Sequence, residues 1–218
     1  LATAAGKDKL PLLIELCKRN LYSKPGKVLE YGRLAVDLLK QFPDDKTELG
    51  FLDLSCQACL YLGDYDQALV FGENSLALTR KMNDRNREGV ADNILAIIYI
   101  QKGDYAKSRE YALQAVEIFR GSQLESGKKV LASALNNIGI SFDMQGDYEQ
   151  SLDYYLQSLK IKEELGDKES IARTLNNVGV IFSNLGKDTQ ALQYYERALE
   201  IKQDLDDRIG IASLYINI

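Results

Sequence analysis

The sequence contains no histidine in 218 residues. That removes the commonest general base and the imidazole that most often binds protein-held transition metals. Cysteine is scarce and odd in number: Cys17, Cys56 and Cys59 do not make a disulfide framework, which favours a reducing compartment such as the cytoplasm. A leader removed during export would leave the periplasm open. No run approaches the roughly 18 apolar residues of a membrane span, so no membrane contact is expected from this chain. No basic stripe interrupts a net charge of -5 and a pI near 5.0, which argues against nucleic acid as a partner. A phosphate-cradling Gly-x-x-x-x-Gly-Lys-Ser/Thr loop is missing too. Proline occurs three times and glycine 16 times, a pairing that suits helices joined by tight turns. The chain does not begin with Met, and its last segment, SLYINI, stops inside a helical pattern; it reads as a piece of a longer protein.

What the sequence has in abundance is itself. LNNIGISFDMQGDYEQSLDYYLQSL begins at Leu135, and LNNVGVIFSNLGKDTQALQYYERAL begins at Leu175, forty residues on. A Gly-Asp-Tyr marker stands at Gly63, Gly103 and Gly146, with a worn copy, Gly-Lys-Asp, at Gly186, at spacings of 40, 43 and 40. Stepping back from Gly63 finds an older copy around Ser23, in which Val28, Gly32 and Ala35 match Ala68, Gly72 and Ser75. The units are expected at 8–42, 45–82, 85–121, 127–165 and 168–205, with the start of a sixth at 208–218.

Each unit reads as two helices. Leu131, Leu135, Ile138 and Phe142 fall at steps of three and four before the marker, and Tyr148, Leu152, Tyr155 and Leu159 do so after it, which places each set on one helical face. The marker glycine suits a left-handed helix end and the following Asp a helix cap. The three extra residues in GSQLESG, from Gly121, predict one longer loop.

These units resemble tetratricopeptide repeats, in a long variety of about 40 residues. The small residue seven before the turn glycine is Cys56, Ala96, Gly139 or Gly179; the aromatic three residues later is Tyr99, Phe142 or Phe182, with Cys59 as an exception. Small residues follow at Ala68 and Ser75, Ser108 and Ala115, Ser151 and Ser158, Ala191 and Ala198. The resemblance implies an all-α fold, a right-handed superhelical solenoid of helix-turn-helix repeats, that binds proteins or peptides and performs no chemistry. It is similar to repeats found in bacterial sensor and regulatory proteins and in scaffold proteins.

In such repeats the first helix of each hairpin lines the concave face. Ten residues before the turn glycine stand Asp53, Asn93, Asn136 and Asn176; nine before it stand Asn137 and Asn177, and Asn217 takes that place in the sixth unit. An amide both donates and accepts hydrogen bonds, as an extended peptide backbone does at every residue. A ladder of Asn is therefore expected to read peptide backbone. The competing reading is that these amides only tie neighbouring hairpins together. Further groove candidates are Gln57, Ile97, Ile140, Asp143, Val180 and Asn184, with Arg173 as the only cation, so no Lys/Arg clamp for a carboxylate is expected. Cys56-x-x-Cys59 falls where the repeat wants core residues, and core is the favoured reading. The expected partner is a protein or peptide, with no cofactor and no metal. The alternative is self-association without a peptide ligand, a homo-oligomer formed through the open C-terminal end, where Leu214 and Ile218 would present apolar surface.

Overall fold

The turn chemistry carries the fold. In the computed structural model, which describes residues 6–218, each Asp that follows a marker glycine caps the next helix. Asp64, Asp104 and Asp147 accept hydrogen bonds from the backbone N–H groups of Gln67, Lys107 and Gln150, satisfying one of the donors that a helix start leaves unpaired. Asp84, Asp167 and Asp207 do the same before the first helices of later units. The worn marker shows the rule by exception: Lys187 has no acceptor, and its helix starts without a side-chain cap. Gly63 and Gly146 sit at φ 73° and 78°, where a side chain would be strained. The opening residues LATAA lie outside the described residues.

The molecule divides into two compact units, one up to Lys102 and one from Gly103. Helices are the regular structure of both. Among the described residues the first unit holds a 3-10 turn at Gly6–Asp8, then α1 (Lys9–Asn20), α2 (Pro25–Gln41), α3 (Asp45–Leu62), α4 (Tyr65–Lys81) and α5 (Arg85–Gln101). The second holds α6 (Tyr105–Phe119), α7 (Glu125–Asp143), α8 (Tyr148–Leu165), α9 (Lys168–Asn184), α10 (Asp188–Asp204) and α11 (Arg208–Asn217). Residues 120–124 form the longer connection that the extra residues predict. Within each unit, helices pack mainly on their neighbours in sequence, α3 on α4 and α4 on α5, α7 on α8 and α9 on α10. This is an all-α helical repeat solenoid.

In the first unit, Leu10, Leu13, Cys17, Val28, Ala35, Leu39, Phe51 and Ala58 form a buried cluster. In the second, Tyr155, Leu159, Ile171, Leu175, Val178, Ile181, Phe182, Tyr195 and Leu214 belong to another. The paired tyrosines divide the labour. Tyr155 and Tyr195 are buried over Gly139 and Gly179, which is why the repeat writes glycine there. Their neighbours do not turn fully outward: Tyr154 stacks on Phe142 with ring centres 5.7 Å apart, and Tyr194 on Phe182 at 5.3 Å.

The cysteines are buried and unpaired. Cys56 donates its S–H to the Ala68 carbonyl at 3.4 Å. Burial pushes the thiols of Cys56 and Cys59 up to about 12 and about 11. Both therefore stay protonated, which suits core packing and not metal or redox chemistry. No helix among the described residues is long and apolar enough to cross a membrane.

Candidate functional site

The second unit encloses a hollow of about 600 Å³, within the size range of ligand sites. Its walls are the inner faces of α7, α9 and α11. Lys162 and Leu165 from the last turn of α8 and Lys202 from that of α10 line it as well. First helices set side by side bring Asn136, Ile140, Arg173, Asn176 and Asn177 to one surface.

The amides are held, not loose. Asn136 Oδ1 accepts from Lys162 Nζ at 3.2 Å, and Lys162 Nζ also donates to Thr174 Oγ1 at 2.7 Å. An ammonium can only donate, so it fixes which end of the Asn136 amide faces it. The amide NH₂ is left with no acceptor among the described residues. Asn176 Oδ1 in turn accepts from Asn217 Nδ2 at 2.8 Å, tying α9 to α11. Each of these two Asn thus uses its oxygen to join helices and keeps its donors available.

The remaining sequence candidates lie elsewhere. Asn137 is buried. Asp143 is half-buried, and burial raises its carboxyl above the usual range. Val180 packs against the core cluster and Asn184 is exposed. In the first unit, Asp53 accepts from Ser75 Oγ at 2.7 Å, and burial raises its carboxyl against that bond. Asn93 is buried. Gln57 and Ile97 share a smaller hollow of about 360 Å³ with Tyr61, Tyr65 and Gln101.

Arg173 is not the only cation at the larger hollow: Lys129, Lys162 and Lys202 line it as well. Two of these come from second helices, which the first-helix rule passes over. The signal that could have found them is the repeat itself, since LKIKEELGD and LEIKQDLDD place Lys162 and Lys202 forty residues apart. Their surroundings differ. Lys202 is buried between Glu169, at 2.8 and 2.9 Å, and Asp207, at 2.6 Å; burial opposes its charge, but the two carboxylates outweigh it and hold the ammonium above its usual range. Lys162 has only neutral acceptors. Burial, then the nearby Arg173, push it down to about 8, with Asp167 opposing.

The comparisons agree with this architecture. The tetratricopeptide repeat family model matches residues 87–164 and 130–204, together more than half of the chain. The chain belongs to the tetratricopeptide repeat family, a protein-interaction scaffold that is generally non-enzymatic. Among solved structures it is similar to the apo form of RapI, at 18% identity and a TM-score of 0.84 over 94% of this chain and 74% of that one. It is also similar to a Rap protein complexed with Competence and Sporulation Factor, at 16% identity and a TM-score of 0.80 over 98% of this chain and 59% of that one. A third is a STAND signal transduction ATPase with a tetratricopeptide repeat sensor from Pyrococcus horikoshii, at 15% identity and a TM-score of 0.80, covering 97% of this chain and 34% of that one. At these identities the likeness is one of fold. No curated protein sequence gave a significant match.

Proposed function

We propose that the chain binds an extended peptide in the hollow between α7, α9 and α11. The observation that carries this is the arrangement of Asn136 and Asn176. Both carboxamide oxygens are occupied by protein donors, and both NH₂ groups border an open cavity where peptide carbonyls would find them. Asn177 and Arg173 add donors, and Ile140 and Leu214 add apolar footing. A Rap protein of this fold is seen complexed with Competence and Sporulation Factor, which supports a sensory or scaffolding role within a larger regulatory protein. Each amide bond contributes roughly 0.5–1.5 kcal/mol, so affinity rests on several of them acting together.

Selection of ten-residue peptides from a random display library against the whole chain tests this. Enriched peptides should bind the Asn176→Ala/Asn177→Ala variant about tenfold more weakly, as loss of two such bonds requires, while melting shifts little, because the bond lost to Asn217 is exposed. Undiminished binding to the variant, or no enrichment at all, would refute the reading.

Self-association is the second reading. Leu214, expected to be exposed at this end, is instead buried in the core cluster; the support is the exposure of Ile218 and of Ile209 and Ile216, the last two each 85% accessible on α11. Sedimentation across a concentration series would reveal it, and Ile216→Asp should abolish it.

A further inference from the structure

Lys162 and Lys202 stand forty residues apart, in the last turns of α8 and α10, yet only one of them is quenched. Lys202 is buried between two carboxylates, Glu169 on α9 and Asp207 before α11. The position equivalent to Glu169 in the preceding repeat is Lys129, on α7. Asp167, equivalent to Asp207, lies beside Lys162 and opposes its loss of charge, but it caps Ser170 and makes no ion pair with the lysine. Arg173, on α9, sets a further cation near Lys162. Glu163 and Glu164, its neighbours in sequence, are taken by Arg197 and Lys128.

The hydrogen bonds suit the uncharged form of Lys162. Thr174 Oγ1 donates its own proton to the Ser170 carbonyl at 2.9 Å, so towards the lysine it accepts, at 2.7 Å. Asn136 Oδ1 is the second acceptor, at 3.2 Å. An ammonium carries three protons and a neutral amine two. Two acceptors therefore satisfy the amine in full and leave its lone pair unspent in the wall of a hollow of about 600 Å³. Half-burial and the Arg173 charge favour the same form, which is why the group is lowered to about 8. A desolvated lysine beside a second cation is activated as a nucleophile, since only the neutral amine can attack a carbonyl.

We infer that Lys162 is a reactive amine of the hollow, a site of covalent capture for a small aldehyde, which it holds as an imine. The lone pair of Nζ adds to the carbonyl carbon. The carbonyl oxygen takes up both amine protons and leaves as water, and the C=N bond forms in place of C=O. Arg173 and the NH₂ of Asn136 stand at the hollow as donors for that oxygen while its negative charge develops. No oxidant or reductant is consumed. The site is independent of whether the hollow also takes a peptide.

The test treats the whole chain with limiting butanal and sodium cyanoborohydride at pH 7, which reduces each imine to a stable secondary amine. Peptide mass spectrometry then gives the rate at every lysine. Lys162 should be labelled at least about tenfold faster than the exposed Lys160 and than Lys202, its equivalent on α10. Its rate should level off above about pH 8. K129E sets a carboxylate where Glu169 stands beside Lys202, and should bring Lys162 down to the rate of Lys160. Lys129 is an exposed helix residue, so this variant is expected to fold. Labelling of Lys162 no faster than that of Lys160 in the wild-type chain would overturn the inference. So would fast labelling of Lys162 that K129E leaves unchanged, because the charge setting would then not be what frees the amine.

Discussion

The ring of Tyr195 lies across Gly179 so closely that a β-carbon there would stand 2.5 Å from Cε1, and Tyr155 covers Gly139 at 2.7 Å. The repeat's small position is therefore a seat for the aromatic of its own second helix. Gly179→Ala forces that ring to move. Overpacking of this kind costs about 1–3 kcal/mol, and the gain in helix propensity returns only about 1 kcal/mol. Chemical denaturation should show a lower midpoint, partly restored in Gly179→Ala/Tyr195→Leu. Gly26→Ala, on α2 with nothing within 4 Å of an added β-carbon, should be neutral or slightly stabilising.

Asp92 occupies a column that holds leucine in other units, at Leu52, Leu135 and Leu175. It is 1% exposed, and neither carboxylate oxygen has a hydrogen-bond partner among the described residues. Burial pushes it up to about 7, with Arg80 opposing and Glu88 adding. Its carboxyl is raised on folding, so its contribution is fully present below the unfolded value of about 3.9 and is lost as pH climbs to 7. Asp92→Leu should remove that loss. The stability gap between variant and wild type should widen from pH 4 to pH 7.5, by up to about 4 kcal/mol. A gap that does not change with pH would show that Asp92 ionises without cost.

Lys162 titrates in the opposite sense. Its ammonium is lowered on folding to about 8, so the folded state bears the full cost of the charge below pH 8 and is relieved of it as pH rises towards the unfolded value of about 10.4. Lys162→Met should therefore stabilise the chain most at neutral pH, by roughly 1–3 kcal/mol, and least at pH 10. Denaturation of both proteins at pH 7 and pH 10 measures the difference directly.

The helices were open to inspection in the sequence because their punctuation is local. A Gly-Asp pair needs no tertiary information to stop one helix and cap the next, and Leu135, Ile138 and Phe142 announce their face by spacing alone. The seat of Tyr155 was half legible: one of two adjacent tyrosines had to be buried, but the stacking of Tyr154 on Phe142 depends on how far apart two helices settle. Lys162 was hidden for a firmer reason. It stands in IKEEL, a charged run that alone reads as solvated surface, and only the approach of α9 half-buries it. Asn136 was found, but its orientation was not, because Lys162 sets it.

The contrast between Lys162 and Lys202 bears on how such a chain diversifies. Copies of one hairpin supply the same lysine ready-mounted, and whether it meets a carboxylate within that hairpin turns on one position, Lys129 or Glu169, carried by the hairpin's own first helix. The lysine's charge can then be rewritten one letter at a time, at a surface position, with the hairpin's interior left alone. An engineer could exploit the same freedom, choosing copy by copy which amine is silenced and which is left to react.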